Sequence, residues 1–212
     1  RIGAKSYAGG DLKGITQKLP YLKDLGVNAL YLTPVFKANS NHKYNTTDYR
    51  TVDPQFGSNA DLVELVTRAH DMGMRVMLDI VFNHCDASHP FFQDVLKYGK
   101  QSRYYSYFII DGDKPDLQSG NYARFADCKY MPKWNTNVAE ARQYLIQIGT
   151  EYLRVYNVDG LRLDVADEVS HTFWQDFRRA VKEVNPDALL IGEVWHDNTH
   201  YLRGDQFDGV MN

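Results

Sequence analysis

The chain repeats one unit: an amphipathic helix, a glycine stop and a short apolar strand. Leu12, Ile15, Leu19, Leu22 and Leu25 keep helical spacing up to Gly26, and Ala29-Leu30-Tyr31-Leu32-Thr33-Pro34 follows as an apolar run. Leu62, Leu65, Val66, Ala69 and Met72 repeat the pattern between an N-cap at Ser58 and a stop at Gly73, ahead of a strand from Arg75 to Phe82. Helices over about 137–157 and 170–184 precede two more strands, Val158 to Asp164 and Ala188 to Glu193. Such alternation predicts an α/β protein with a parallel sheet covered by helices, either doubly wound or closed as a barrel. Residues 85–135 interrupt the pattern. They are rich in Tyr, Asp, Gly and Lys without a strong period, as expected of a loop-rich insertion at the C-terminal end of a strand, where a barrel carries its active-site decoration. Phe207 to Asn212 reads as one more strand beginning. A full barrel takes about 250 residues, so this chain of 212 is expected to be part of a larger domain.

Charge narrows the partners. Lysine and arginine number 24 against 27 acids, a net charge of −3 without long single-sign runs, which argues against nucleic acid and for a neutral substrate. No apolar run is long enough to span a membrane, and the start Arg1-Ile2-Gly3-Ala4-Lys5 has no signal-peptide core, so a cytoplasmic protein is expected. The two cysteines, Cys85 and Cys128, form no metal or redox motif and are expected to be free thiols.

The strand ends carry the chemistry. Residues two apart on a strand share a face, so in Leu161-Arg162-Leu163-Asp164 the leucines face the helices while Arg162 and Asp164 face the other way. A charged pair there is costly unless it is used or compensated. Glu193 ends the next strand, and Asn83 and His84 end an earlier one; in a barrel these ends converge on one mouth. Two carboxylates on neighbouring strands, flanked by Arg and His, fit glycoside hydrolysis, in which one attacks the anomeric carbon and the other handles the leaving-group proton. On this reading Arg162 holds Asp164 ionised as nucleophile, and Glu193, at a more apolar strand end near a negative Asp, has a raised pKa and acts as the acid.

Asp79-Ile80-Val81-Phe82-Asn83-His84, Gly160-Leu161-Arg162-Leu163-Asp164 and Glu193-Val194-Trp195-His196 resemble, in order and spacing, three signature regions of the α-amylase family of retaining glycoside hydrolases. Met131-Pro132-Lys133-Trp134-Asn135 resembles the Met-Pro-Lys-Leu-Asn signature of the neopullulanase, cyclomaltodextrinase and maltogenic amylase group, departing at Trp134. Asn41 to Tyr49 and Gly204 to Asn212 resemble that group too. The resemblance implies a partial TIM (β/α)8 barrel, about strands 2 to 6, in residues 1–84 and 136–212, with 85–135 as a subdomain inserted after the third strand. It implies an α-glucan oligosaccharide as substrate, with Asp164 as nucleophile, Glu193 as acid/base and Arg162 orienting Asp164. His84 would hydrogen-bond the sugar, Tyr44 would stack on it, and Asp48 belongs to the same matched segment. Glu168 and Trp195 would line the acceptor side, Glu168 being alternatively a helix N-terminal acid, and Asp79 would support Arg162.

No cofactor is required by this reading. Calcium stays open at Asn83, which corresponds to a calcium-binding position in many α-amylases, although one amide oxygen is far short of the six to eight ligands calcium takes. The family's third catalytic Asp, in an Asn-His-Asp motif, has no counterpart in these residues, so the 212 residues alone are expected to be inactive. A homodimer of the longer protein stays open. Rival readings are an oligo-1,6-glucosidase or transglycosylase of the same family, a non-catalytic amylase-like barrel, and a carbohydrate-binding module; the pair Asp164 and Glu193 speaks against the last two.

Overall fold

The computed structural model describes residues 6–7 and 9–211. Its centre is a five-stranded parallel sheet of β1 (Ala29–Leu32), β4 (Arg75–Val81), β5 (Gly160–Asp164), β6 (Leu189–Glu193) and β7 (Gly209–Met211), neighbours in that order. The order never reverses. A doubly wound sheet would turn back at a switch point, so the alternative left open by the sequence is settled in favour of consecutive winding, as in a barrel. The expected strand at the end of the chain is β7, with Asn212 outside the described residues.

The helices form where the spacing predicts. In α1 (Leu12–Asp24) the Asp11 carboxylate accepts from the Gly14 N–H, and in α2 (Asn59–Asp71) Ser58 and Asp61 make a reciprocal capping box. Gly73 follows α2 with a φ of +68°, a conformation that costs a residue with a side chain more. Two further helices, α4 (Ala139–Tyr156) and α5 (His171–Val184), cross back to β5 and β6. Alternate strand residues Leu78, Ile80, Leu161, Leu163 and Leu190 are buried with the inner faces of these helices. The helices α4 and α5 come so close at Gly149 that an added Cβ would lie 2.4 Å from Phe177 Cε2.

Three elements depart from expectation. Phe36–Ala38 (β2) and Thr46–Val52 (β3) form an antiparallel ribbon, and the insertion contains α3 (Pro90–Tyr98), capped by the His89 side chain. The aromatic side chains of the insertion are a packed layer: Phe91 stacks on Tyr104 at 3.9 Å and Phe108 on Trp134 at 4.9 Å. Trp134, the departure from the group's signature, is buried, and its indole N–H donates to Tyr49 Oη at 3.2 Å. The end of the insertion returns to the sheet: Cys85 N–H donates to Pro132 O and Trp134 N–H to Asn83 O, so residues 132–134 run alongside the end of β4. Among the described residues no helix is long and apolar enough to cross a membrane.

Candidate active site

Side-chain alternation on β5 sends Arg162 and Asp164 to the face opposite the helices, and Arg162 is the register partner of Asp79 on β4. One guanidinium serves three carboxylates. Its Nη1 donates to both Asp79 oxygens at 3.1 Å and to Asp164 Oδ1 at 2.7 Å, Nη2 pairs with Glu193 Oε1 at 3.0 Å, and Nε donates to Met211 Sδ. This fork geometry is what a delocalised arginine offers and a lysine does not. Asp79, whose side chain is fully buried, also accepts from Tyr31 Oη at 2.5 Å and Tyr44 Oη at 2.9 Å. Asp79 thus supports Arg162, as expected.

Electrostatics correct one expectation. Arg162 does stand beside Asp164, but burial and the charge of Asp79 outweigh it and push the Asp164 carboxyl up to about 7. Burial likewise raises Asp79, against the pull of Arg162. Nor is Glu193 at an apolar strand end: its carboxylate meets Arg162 and accepts the Val165 N–H at 2.8 Å. Val165 makes that contact from a left-handed conformation, φ +47°. For a β-branched residue this is a genuine outlier, of a kind that costs roughly 1–3 kcal/mol.

A cleft of about 920 Å³ opens over these groups. Of the residues singled out in the sequence, Tyr44, His84, Arg162, Asp164, Glu168, Glu193 and Trp195 line it. Trp195 is 72% exposed. His84 is buried, stacks on Phe125 at 4.8 Å, and keeps Nε2 without a hydrogen-bond partner among the described residues; burial lowers its pKa to about 4, so it is neutral. Glu168 sits in a single 3-10 turn before Ser170, the N-cap of α5, and so lies outside the first turn of α5; it pairs with Lys133 at 3.2 Å.

Asp48 is not brought into the cleft. It lies on β3, where Oδ1 accepts the Arg50 N–H, and its charge faces His89 and the tyrosines 144, 152 and 156. The strand's alternation explains the miss: the matched segment carries Tyr44 to the cleft, but the ribbon that follows turns away. Sequence reasoning also passed over His42, Phe125 and Tyr130, which line the cleft from two loops, and Tyr31, whose inward position on β1 was the available signal.

Calcium was left open at Asn83. Asn83 is buried, its Oδ1 lacks a partner among the described residues, and its amide donates weakly to Glu168. Glu168 already carries the ammonium of Lys133, and no group of three or more His, Cys, Asp or Glu side chains among the described residues could hold a metal ion.

An arginine joining carboxylates at the C-terminal ends of parallel, consecutively wound strands defines the catalytic face of a (β/α)8-type enzyme domain. The alpha amylase catalytic-domain family matches residues 3–212, and the chain belongs to that family. It is similar to a cyclomaltodextrinase of Geobacillus thermopakistaniensis (strain MAS1), 51% identical over 98% of this chain and 35% of the relative. A neopullulanase 2 of Thermoactinomyces vulgaris is 49% identical over 98% of this chain and 36% of its own length. A solved cyclomaltodextrinase structure superposes with a TM-score of 0.95 at 48% identity, covering all of this chain and 37% of that one. The chain spans about a third of the length of the curated relatives it matches.

Proposed function

We propose that the protein hydrolyses α-1,4-glucosidic bonds, and α-1,6 bonds where the acceptor side admits them, in maltooligosaccharides, cyclodextrins or pullulan-type glucans, by double displacement with retention. The observation that carries this is the Arg162 guanidinium bound to both Asp164 and Glu193. Holding two carboxylates on one guanidinium is compatible with the roughly 5–5.5 Å separation of retaining enzymes. Asp164 attacks the anomeric carbon, Glu193 protonates the leaving oxygen and then activates water, and Arg162 fixes the aim of both. The ring of Tyr44 covers the apolar face of the reacting glucose, held in place by its hydroxyl on Asp79. Neutral His84 offers the unpartnered Nε2 to a sugar hydroxyl. Residues 85–135 act as an inserted subdomain that supplies one wall of the cleft, and Trp195 and Glu168 line the acceptor side. The free thiols Cys85 and Cys128 suit a cytoplasmic setting.

The test uses the full-length protein with maltotriose, β-cyclodextrin, pullulan and isomaltose, following products and their anomeric form by proton NMR. α-Configured glucose or maltose is expected, abolished by Asp164→Asn. Glu193→Gln should slow turnover by about a thousandfold or more while leaving sugar binding; near-normal turnover would overturn the assignment.

A further inference from the structure

Tyr31 stands on β1, the strand paired with β4, and its hydroxyl donates to Asp79 Oδ2 at 2.5 Å. Tyr44 donates to the same oxygen at 2.9 Å, and Arg162 Nη1 to both oxygens at 3.1 Å. The two tyrosines differ in place. Tyr44 lines the cleft and Tyr31 does not, so whatever the Tyr31 hydroxyl contributes to chemistry in the cleft has to pass through the carboxylate it touches. A hydroxyl that meets an ionised carboxylate is necessarily the donor. The phenol keeps its proton for that purpose, since burial and the bond to Asp79 raise its pKa.

Asp79 is the group that needs such donors. Its side chain is fully buried, and burial raises its pKa against the pull of Arg162 and the two hydroxyls. Both oxygens already face donors, so a proton on either would displace one. On the functional reading above, Asp79 is also the one carboxylate on Arg162 whose charge lasts through the cycle. Asp164 gives up its charge when it bonds the anomeric carbon, and Glu193 gives up its own each time it carries the proton. The groups facing this centre are Tyr31 from β1, Tyr44 from the segment before β3, Arg162 and Asp164 from β5, Glu193 from β6 and the Met211 thioether from β7.

We propose that Tyr31 is a positioning residue for the hydrolysis: its hydroxyl holds Asp79 ionised, and through Asp79 keeps Arg162 in the pose that presents Asp164 and Glu193 to the substrate. The proposal rests on the hydrolase reading above. It gives β1, which contributes no residue to the cleft, a part in the reaction.

The experiment measures kcat and KM of the full-length enzyme for maltotriose from about pH 4 to pH 9, in the wild type, in Tyr31→Phe and in Tyr31→3-fluorotyrosine. The acid limb of kcat/KM belongs to the Asp79 and Asp164 pair, both of which act ionised. Losing a donor to the anion raises the pKa of the pair, so Tyr31→Phe should move that limb up by about one pH unit, the size of one charge-assisted hydrogen bond. At the optimum kcat should fall about tenfold while KM stays within about twofold, because the substrate is not touched. The fluorinated phenol is a stronger donor of nearly the same size and should move the limb down, a result that stands even if Tyr31→Phe folds poorly. An acid limb that stays in place in the variants, kcat and KM that change together, or limbs that move the same way in both variants would overturn the role of Tyr31 while leaving the hydrolase reading standing. Cleavage of no oligosaccharide by the wild type would overturn both.

Discussion

Replacing Asp164 by Asn should make the protein more stable, and more so the higher the pH. The fold raises this carboxyl from 3.8 to about 7, through burial and the charge of Asp79. A carboxyl raised by folding binds its proton more tightly in the native state, so its contribution is fully present below pH 4 and is lost as pH rises to about 7. The shift corresponds to about 4 kcal/mol. Solvent screening removes little of this, since the Asp164 side chain is 8% exposed. Asn cannot ionise, so between pH 5 and pH 8 the stability of the variant relative to wild type should widen by about 3 kcal/mol. At neutral pH the Arg162 bond lost with the carboxylate returns part of the gain, for a net of about 2 kcal/mol. Thermal midpoints of both full-length proteins, recorded at half-unit steps of pH, read this directly; a shift of less than about 2–4 °C per kcal/mol is expected, since the full-length protein exceeds the 150–250 residues for which that figure holds. A midpoint difference that is constant with pH, or that narrows as pH rises, would refute the electrostatic account of the cluster.

Three further predictions concern the scaffold. Lys43, buried with φ +65°, donates to Asp53 at 2.7 Å and to Gln55 at 2.6 Å; Lys43→Met strands the Asp53 charge and should cost about 3–5 kcal/mol, partly recovered in Lys43→Met/Asp53→Asn. A double variant no more stable than the single one in urea unfolding would count against the ion pair. Gly149→Ala places a methyl 2.4 Å from the packed Phe177 ring and should cost about 1–3 kcal/mol in the same assay with activity unchanged, the helix pair lying behind the sheet; an unchanged midpoint would show that the ring moves freely. Ser58→Ala removes half of a capping box and should cost about 1 kcal/mol, an expectation that an unchanged denaturation midpoint would contradict.

What could be read from the sequence was whatever has a local period. The helix α2 is bounded by Ser58 and Gly73, and the alternation of Leu161-Arg162-Leu163-Asp164 sorts helix-facing from cleft-facing side chains without any knowledge of their neighbours. The choice between a doubly wound sheet and a barrel needed the strand order, which no period encodes. Pro90–Tyr98 form a helix of only nine residues, shorter than the roughly 10–12 over which a helical period separates from other short apolar runs. The upward pull on the Asp164 carboxyl was out of reach of the sequence because burial, its main cause, and the charge of Asp79 on another strand are set by the fold, whereas Arg162 is only two residues away. Asp48 was carried along by a matched segment whose second half belongs to a ribbon facing elsewhere. Nothing in the letters announces Val165 in a left-handed turn.

That valine has a practical consequence for anyone wishing to redesign the acceptor side. Its N–H ties the loop after β5 to Glu193 on the end of β6, and the same loop continues through Asp167, which accepts the Trp195 N–H at 3.2 Å, to Glu168. On the proposed reading, the residues that select the incoming acceptor and the residue that moves the proton are therefore links of one short chain. Libraries that vary 165–168 to change product linkage will also shift Glu193, so selectivity and turnover should drift together unless Val165 is left untouched.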